Sequence, residues 1–314
     1  MWIVTHRKIF YIFSGVVVLG ALLALLVWGL RFGMDFTGGS LLEINYTQTV
    51  PTVSQVTSAL SSVDIPVASA LPTGTDGYLI RMPFLSAAQY AQAKAALVGT
   101  SGQWPLEEKE YTSIGPTIGS ELQSKAVWAI ALVLVAIALF IAFAFRKVSK
   151  PVSSWKYGLT ALVCLAHNVV IPLGVFAVLG HFGGVEIDTL FVTALLVVLG
   201  FSVHDNIVVF DRIRENLKKN HEGNNAKEPF EETVGKSVSQ TITRSINTSL
   251  TVVIVLLVLF FIGPASAQYF VLTLLIGIVA GTYSSIFLGS PLLVTLEKRQ
   301  KPQIEVSKKD SKKR

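Results

Sequence analysis

Six stretches of about 20 residues, almost free of charge, punctuate the chain: Ile9–Leu30, Ala126–Phe145, Tyr157–Leu179, Thr189–Phe210, Ile242–Ile262 and Tyr269–Leu296. Each is long enough to cross a hydrocarbon layer about 30 Å thick as a helix, so the pattern predicts six transmembrane spans. The first follows His6-Arg7-Lys8, as a signal peptide would. Its apolar run outlasts the usual signal-peptide core and no small-residue cleavage pattern follows, so it reads as an uncleaved anchor. A different rhythm fills residues 31–123. Ser40–Thr47 (SLLEINYT) alternates as a strand, and Thr52–Val63 is an amphipathic helix. Pro66–Ala70 is a short strand and Gly77–Met82 another, after the turn-forming Gly74-Thr75-Asp76-Gly77. Ser86–Val98 is an alanine-rich helix opened by its serine, and Glu107–Ile114 closes the set. The order β-α-β-β-α-β predicts a small ferredoxin-like α+β domain between the first and second spans.

The division is therefore residues 1–30, a first span with its N-terminal segment; 31–123, the α+β domain; 124–296, a five-helix membrane region; and 297–314, a basic polar tail. Composition agrees with a membrane protein. Of 314 residues, 51% are apolar and 15% charged, where a soluble domain has about a quarter charged. The net charge of +6 does not mark a nucleic-acid binder, because it is concentrated beside the spans. From Arg31 to Gln123 four basic residues face eight acidic ones, 4 − 8 = −4. Lys and Arg crowd the link Arg146–Lys156, the segment after the fourth span and the tail from Lys298, and are missing from Gly180–Asp188 and Gly263–Gln268. The positive-inside rule then puts both termini and the two basic links in the cytoplasm and the α+β domain outside it. Trp2, Tyr11, Trp28, Trp128, Trp155, Tyr157 and Tyr269 fall near span ends, where amphipathic rings collect. The lone cysteine, Cys164, lies in an apolar run, and no disulfide framework or CxxC metal motif is present.

Candidate chemistry sits where polar residues interrupt apolar helices. Asp205, between His204 and Asn206, is the one carboxylate inside the six apolar stretches. It lies about 9 Å inside the Asp211 end of its helix, and a charge there costs several kcal/mol unless paired, hydrated or protonated. Two readings follow: a carboxylate that takes up and releases protons, or a neutral packing residue. Arg244 is the plausible counter-charge. Counted from the opposite helix ends, Asp205 and Arg244 lie at about 24 and 27 Å, depths that match on consecutive antiparallel spans; the alternative is an arginine snorkelling to the surface. His167-Asn168 sits at mid-depth on the third span, four residues before Pro172, as an interhelical hydrogen bond or part of a hydrated path. Gly277, Gly281, Ser285 and Gly289 form a packing ridge on the sixth span. Asp211-Arg212-Ile213-Arg214-Glu215 reads as a self-pairing solvated helix face. Gly33-Met34-Asp35-Phe36-Thr37-Gly38-Gly39 reads as a structural turn ahead of the alternative, a ligand loop, its paired glycines allowing positive φ and close backbone approach. The α+β domain has no histidine or cysteine, so it reads as a binding or force-transmitting module. No GxSG serine motif and no GxGD motif with a second intramembrane aspartate is present, which removes an intramembrane protease.

Gly33–Gly39 resembles the GIDFTGG element of the SecD/SecF family of bacterial protein-export membrane proteins. Ile114–Leu122 (IGPTIGSEL) is similar to the family's segment leading into its second span. Val185–Asp188 and Gly200–Asn216 (GFSVHDNIVVFDRIREN) resemble its SecF-type fourth-span signature, and Thr241–Ser249 the start of its fifth span. The resemblance runs in order along nearly the whole chain. It implies an RND-superfamily membrane half that pairs with SecD and joins the SecYEG channel, with YajC and YidC as further partners. The assembly would use the proton-motive force to assist preproteins across the bacterial cytoplasmic (inner) membrane. It implies Asp205 as the protonatable group and Arg244 as its partner, with His204, Asn206, His167 and Asn168 around them, and Gly33, Asp35, Gly38, Gly39, Asp211 and Arg212 as structural motif residues. It implies no enzyme activity, bound cofactor or metal, the coupling ion being H⁺ or Na⁺. Where the family often has His-Asp and Asn-Asp, this chain has His167-Asn168 and His204-Asp205, one carboxylate fewer and one imidazole more. A half-size RND exporter of lipids or small molecules, and a passive scaffold, are the rival readings.

Overall fold

The computed structural model describes residues 2–99, 102–146, 152–222 and 228–298; the tail beyond Lys298 and most of the basic link after Arg146 lie outside them. The chain divides into two units, Phe32–Val127 and Met1–Arg31 with Trp128–Arg314.

In the first unit, the short α3 (Met34–Thr37) leads into β1 (Gly39–Tyr46), α4 (Val53–Ser61), β2 (Ser69–Thr73), β3 (Gly77–Met82), α5 (Ala87–Val98) and β4 (Leu106–Ile114). The sheet order is β2-β3-β1-β4 with every neighbouring pair antiparallel, the arrangement of a ferredoxin-like unit. Both helices start on capping boxes, Thr52 with Gln55 and Ser86 with Gln89, which satisfy orphan backbone donors reciprocally. Period-2 burial along β1 and β3 turns Leu42, Ile44, Ile80 and Met82 onto Val56, Leu60, Ala93 and Leu97 of the two helices. β2 starts at Ser69, three residues later than the apolar pattern predicts. Pro66 has no N–H to give a ladder, and the Gly74–Asp76 turn fixes the register by pairing Thr73 with Gly77.

The second unit opens with a short turn of helix, α1 (Trp2–Thr5), and holds α2 (Arg7–Trp28), α7 (Ser154–Gly183), α8 (Thr189–Glu222) and α9 (Phe230–Ile262). α10 (Gln268–Tyr283) runs through a π-helical segment, Ser284–Gly289, into α11 (Ser290–Lys298). α6 (Pro116–Ala144) joins them, so among the described residues six helices are long and apolar enough to cross a membrane. α8 and α9 extend well past their apolar runs: on α8, i,i+3 and i,i+4 pairs such as Arg212–Glu215 and Lys219–Glu215 carry the helix into polar surroundings, and on α9 Glu231 is held by Arg7 and Lys298. The centre is built from α7, α8 and α10. The ridge on α10 lets it approach closely: a Cβ at Gly277 would meet Val198, one at Gly281 would meet Ser202, and one at Gly289 would meet Cys164. Gly174 of α7 admits Ala21 of α2 in the same way. At the basic end, Lys156 and Glu297 form a buried ion pair at 2.8 Å, and Glu231 bridges Arg7 and Lys298.

Candidate functional site: a polar centre in the bundle

α8 delivers Asp205 to the middle of the bundle, where the residue is 2% exposed. The carboxylate accepts from two hydroxyls, Ser249 of α9 at 3.5 Å and Thr282 of α10 at 3.4 Å, and Thr282 also donates to Ser249 at 2.5 Å. Three helices thus meet at one carboxylate oxygen, Oδ2. Thr282 is the last α-helical turn before the π segment, where widened hydrogen bonding loosens the backbone and which is a frequent location of functional sites.

Arg244 does not pair with Asp205. No hydrogen bond or ion pair joins them; Arg244 is exposed on α9 and lines a groove with Asp211, Arg212, Glu215, Gln240 and Thr241. Ser249, not Arg244, stands level with Asp205, so the depths do not match: Arg244 lies five residues nearer the start of α9, about 7.5 Å along the axis, and is exposed, while Ser245 and Ser249, one helical turn apart, are buried on the face that meets α8. His204 is exposed beside Asp205, while Asn206 is fully buried, donates to the Ser202 carbonyl at 3.1 Å and leaves its Oδ1 without a partner.

A second polar cluster lies between α7, α8 and α10. His167 Nδ1 is 3.0 Å from Asn168 Oδ1, and Asn168 Nδ2 donates to Ser202 Oγ at 2.5 Å. The His167 ring stacks on Tyr283, whose hydroxyl meets Ser14 of α2 at 3.1 Å. α7 continues unbroken through Pro172. Asp211 and Arg212 lie outside this centre: Asp211 meets Arg214 at 3.6 Å, and Arg212 binds Glu215 and Gln240. The glycine loop is architectural. Gly33 precedes α3, Asp35 lies in its first turn, and Gly38 and Gly39 have φ of +77° and +150°. A Cβ on Gly38 would fall 2.8 Å from Pro116 Cα, and one on Gly119 would fall 2.9 Å from the Gly38 nitrogen, so the loop is pinned to the start of α6.

Ser249, Thr282, Ser202, Tyr283 and Ser14 escaped the reading of the sequence because hydroxyls are common in membrane helices. One signal was available: Ser237, Thr241, Ser245 and Ser249 recur every four residues on α9. Among the described residues no group of His, Cys, Asp and Glu side chains could hold a metal ion.

A multi-pass membrane protein with an ionisable, hydroxyl-lined centre and a ferredoxin-like insert is the class these features define. Residues 94–299 match the C-terminal region of the protein export membrane proteins SecD/SecF, and residues 24–50 match the SecD/SecF GG motif. The chain belongs to the SecD/SecF family. It is 44% identical over 307 residues to the protein translocase subunit SecF of Thermobaculum terrenum, covering 95% of this chain and 94% of that one. The SecF subunit of Anaerolinea thermophila is 34% identical, covering 94% of each. Among solved structures, SecDF of Thermus thermophilus, a translocon-associated membrane protein, is similar with a TM-score of 0.75 at 29% identity, covering 94% of this chain and 38% of that longer one. These likenesses fit protein export, not a half-size exporter of small molecules.

Proposed function

We propose that the chain serves as the SecF-type subunit of a bacterial Sec protein-export machinery. It pairs with SecD, engages the SecYEG channel with YajC and YidC nearby, and uses the proton-motive force to assist preproteins across the inner membrane. The positive-inside pattern supports cytoplasmic termini. His204 and Asn247 are exposed on α8 and α9 within the membrane-spanning stretch. Polar groups facing hydrocarbon are costly, which supports a partner helix covering that face.

The observation that carries the coupling role is Asp205: buried, and held by the hydroxyls of Ser249 and Thr282 with no ion-pairing cation among the described residues. Such an environment suits a carboxyl that alternates between proton-bearing and ionised forms. When it is neutral, a hydroxyl contact can serve it as acceptor as well as donor, so Ser249 and Thr282 rotate and the α8–α9–α10 junction repacks beside the π segment. Each charge moved across a 100 mV potential is worth about 2.3 kcal/mol, enough to bias such a junction. Asn168 cannot hold a charge, so in this chain the second cluster has no carboxylate and its ionisable side chains are His167 and Tyr283. Arg244, with Asp211 and Arg212, acts at the cytoplasmic groove.

The test is Asp205→Asn in vesicles containing SecD and the channel. The variant is expected to copurify with SecD and to lose the potential-dependent part of translocation. Export at the unmodified rate would leave a scaffold role in place of a motor, and separate variation of the pH and sodium gradients identifies the coupling ion.

A further inference from the structure

Between the cytoplasmic groove and Asp205, α9 turns a line of hydroxyls toward α8. Ser237, Thr241, Ser245 and Ser249 recur at intervals of four and are all buried. Thr241 belongs to both features, lining the groove of about 350 Å³ as well as the stripe. Ser249 touches the Asp205 carboxylate. At the lower end Ser237 accepts from Asn216 at 2.8 Å. The third member is the exception. Ser245 is 2% exposed and its Oγ has no hydrogen-bond partner, although a buried hydroxyl without one is destabilising by about 1–3 kcal/mol.

The spacing explains what such a hydroxyl is for. Side chains four apart on a helix stand about 5–6 Å from each other, roughly twice a hydroxyl hydrogen-bond length. One water between each neighbouring pair closes that interval. From Thr241 to Ser249 the climb is eight residues, about 12 Å.

Resting on Asp205 as the protonatable group, we propose that the groove and the α9 hydroxyl stripe form the proton's route between the cytoplasm and Asp205, with Ser245 as its central station. A proton arriving at the groove passes to a water beside Thr241, the hydrogen bonds along Ser245 and Ser249 shift by one, and Oδ2 of Asp205 receives a proton; release runs the same chain in reverse. The ionisable groups bordering the route are Asp211, Arg212, Glu215 and Arg244 at the groove and His204 beside Asp205, with His167 and Tyr283 on the α7 and α10 sides.

The experiment uses the full chain with its SecD partner in oriented vesicles, with pH jumps applied to either face. The Asp205 carboxyl band is followed by infrared difference spectroscopy and assigned with Asp205→Asn. Ser245→Val should slow protonation from the groove face by about tenfold, as expected for losing one hydrogen bond of ordinary strength. The titration midpoint and the rate from the opposite face should not change. Ser245→Ala, which leaves room for a water, should slow it less and decides the matter where the valine variant does not assemble. Thr160→Val, at another buried unpartnered hydroxyl on α7, should change nothing. An unmodified groove-side rate in the assembled Ser245 variants overturns the route and leaves Asp205 as the coupling group. An Asp205 that titrates in no preparation, the unmodified chain included, overturns the coupling reading and the route together.

Discussion

Between Phe32 and Val127 the described buried side chains are Leu, Ile, Val, Ala, Met, Phe, Tyr and Pro, with Ser40 the single buried polar residue. The bundle is the reverse. It buries Lys156, Thr160, His167, Asn168, Ser202, Asp205, Asn206, Ser245 and Ser249, and exposes Leu19, Leu26, Phe143 and Phe261. The contrast follows from the solvent around each. In water, burying apolar area is the main driving force. In lipid that force vanishes between helices, and close packing of small residues with hydrogen bonds takes its place. A buried polar centre is therefore affordable only in the bundle, and function collects there.

The largest effect is expected where charge is buried. Glu297→Gln strands Lys156 in the helix packing and should destabilise the bundle by about 3–5 kcal/mol, read as thermal unfolding in detergent. Lys156→Met with Glu297→Leu should restore most of the loss, which separates a stranded charge from a lost contact. Next comes the contrast itself. Ile80→Ala in the sheet core, fully buried, should cost about 2–5 kcal/mol, measured by hydrogen exchange of β1 and β3. Leu26→Ala, 82% exposed on α2, should leave the bundle's unfolding temperature unchanged. A large effect there would show a protein surface, not lipid, against α2.

The smallest effect is electrostatic. Glu108 of β4 accepts from Lys94 of α5 at 2.7 Å and from Tyr90, and these contacts, Lys94 first, hold its carboxyl below the usual range. The sign follows from linkage. The lowered folded-state value adds stability above the unfolded value of about 4.3, and that increment disappears as pH falls through the folded value. Glu108→Gln should remove under about 1 kcal/mol at neutral pH and flatten the acid limb of β4 hydrogen-exchange protection.

Much of this architecture can be read from residue order. Apolar run lengths mark six spans, and alternation with turn chemistry marks the sheet domain down to the order of its elements along the chain. Asp205 stands out as a carboxylate among apolar neighbours. The helix ends are less legible, because α8 and α9 continue for a dozen residues through polar sequence that a hydropathy profile scores as loop, α8 on its own charged pairs and α9 held by contacts to other helices. The π segment is invisible to a four-residue ridge, since one wide turn shifts the ridge's own phase.

The chain order alone settled which segments enter lipid and which residue carries a charge into it, because transfer from water is a sum over local composition. It could not settle which side chains meet that charge. Counting residues gives distance along one helix, but the level at which two helices meet and the rotation of each about its axis depend on how three helices interlock, here through Gly277 against Val198 and Gly281 against Ser202. That interlocking set Ser249 and Thr282 against Asp205 and left Arg244 more than a turn away on another face, a choice of level and angle that only packing in three dimensions makes.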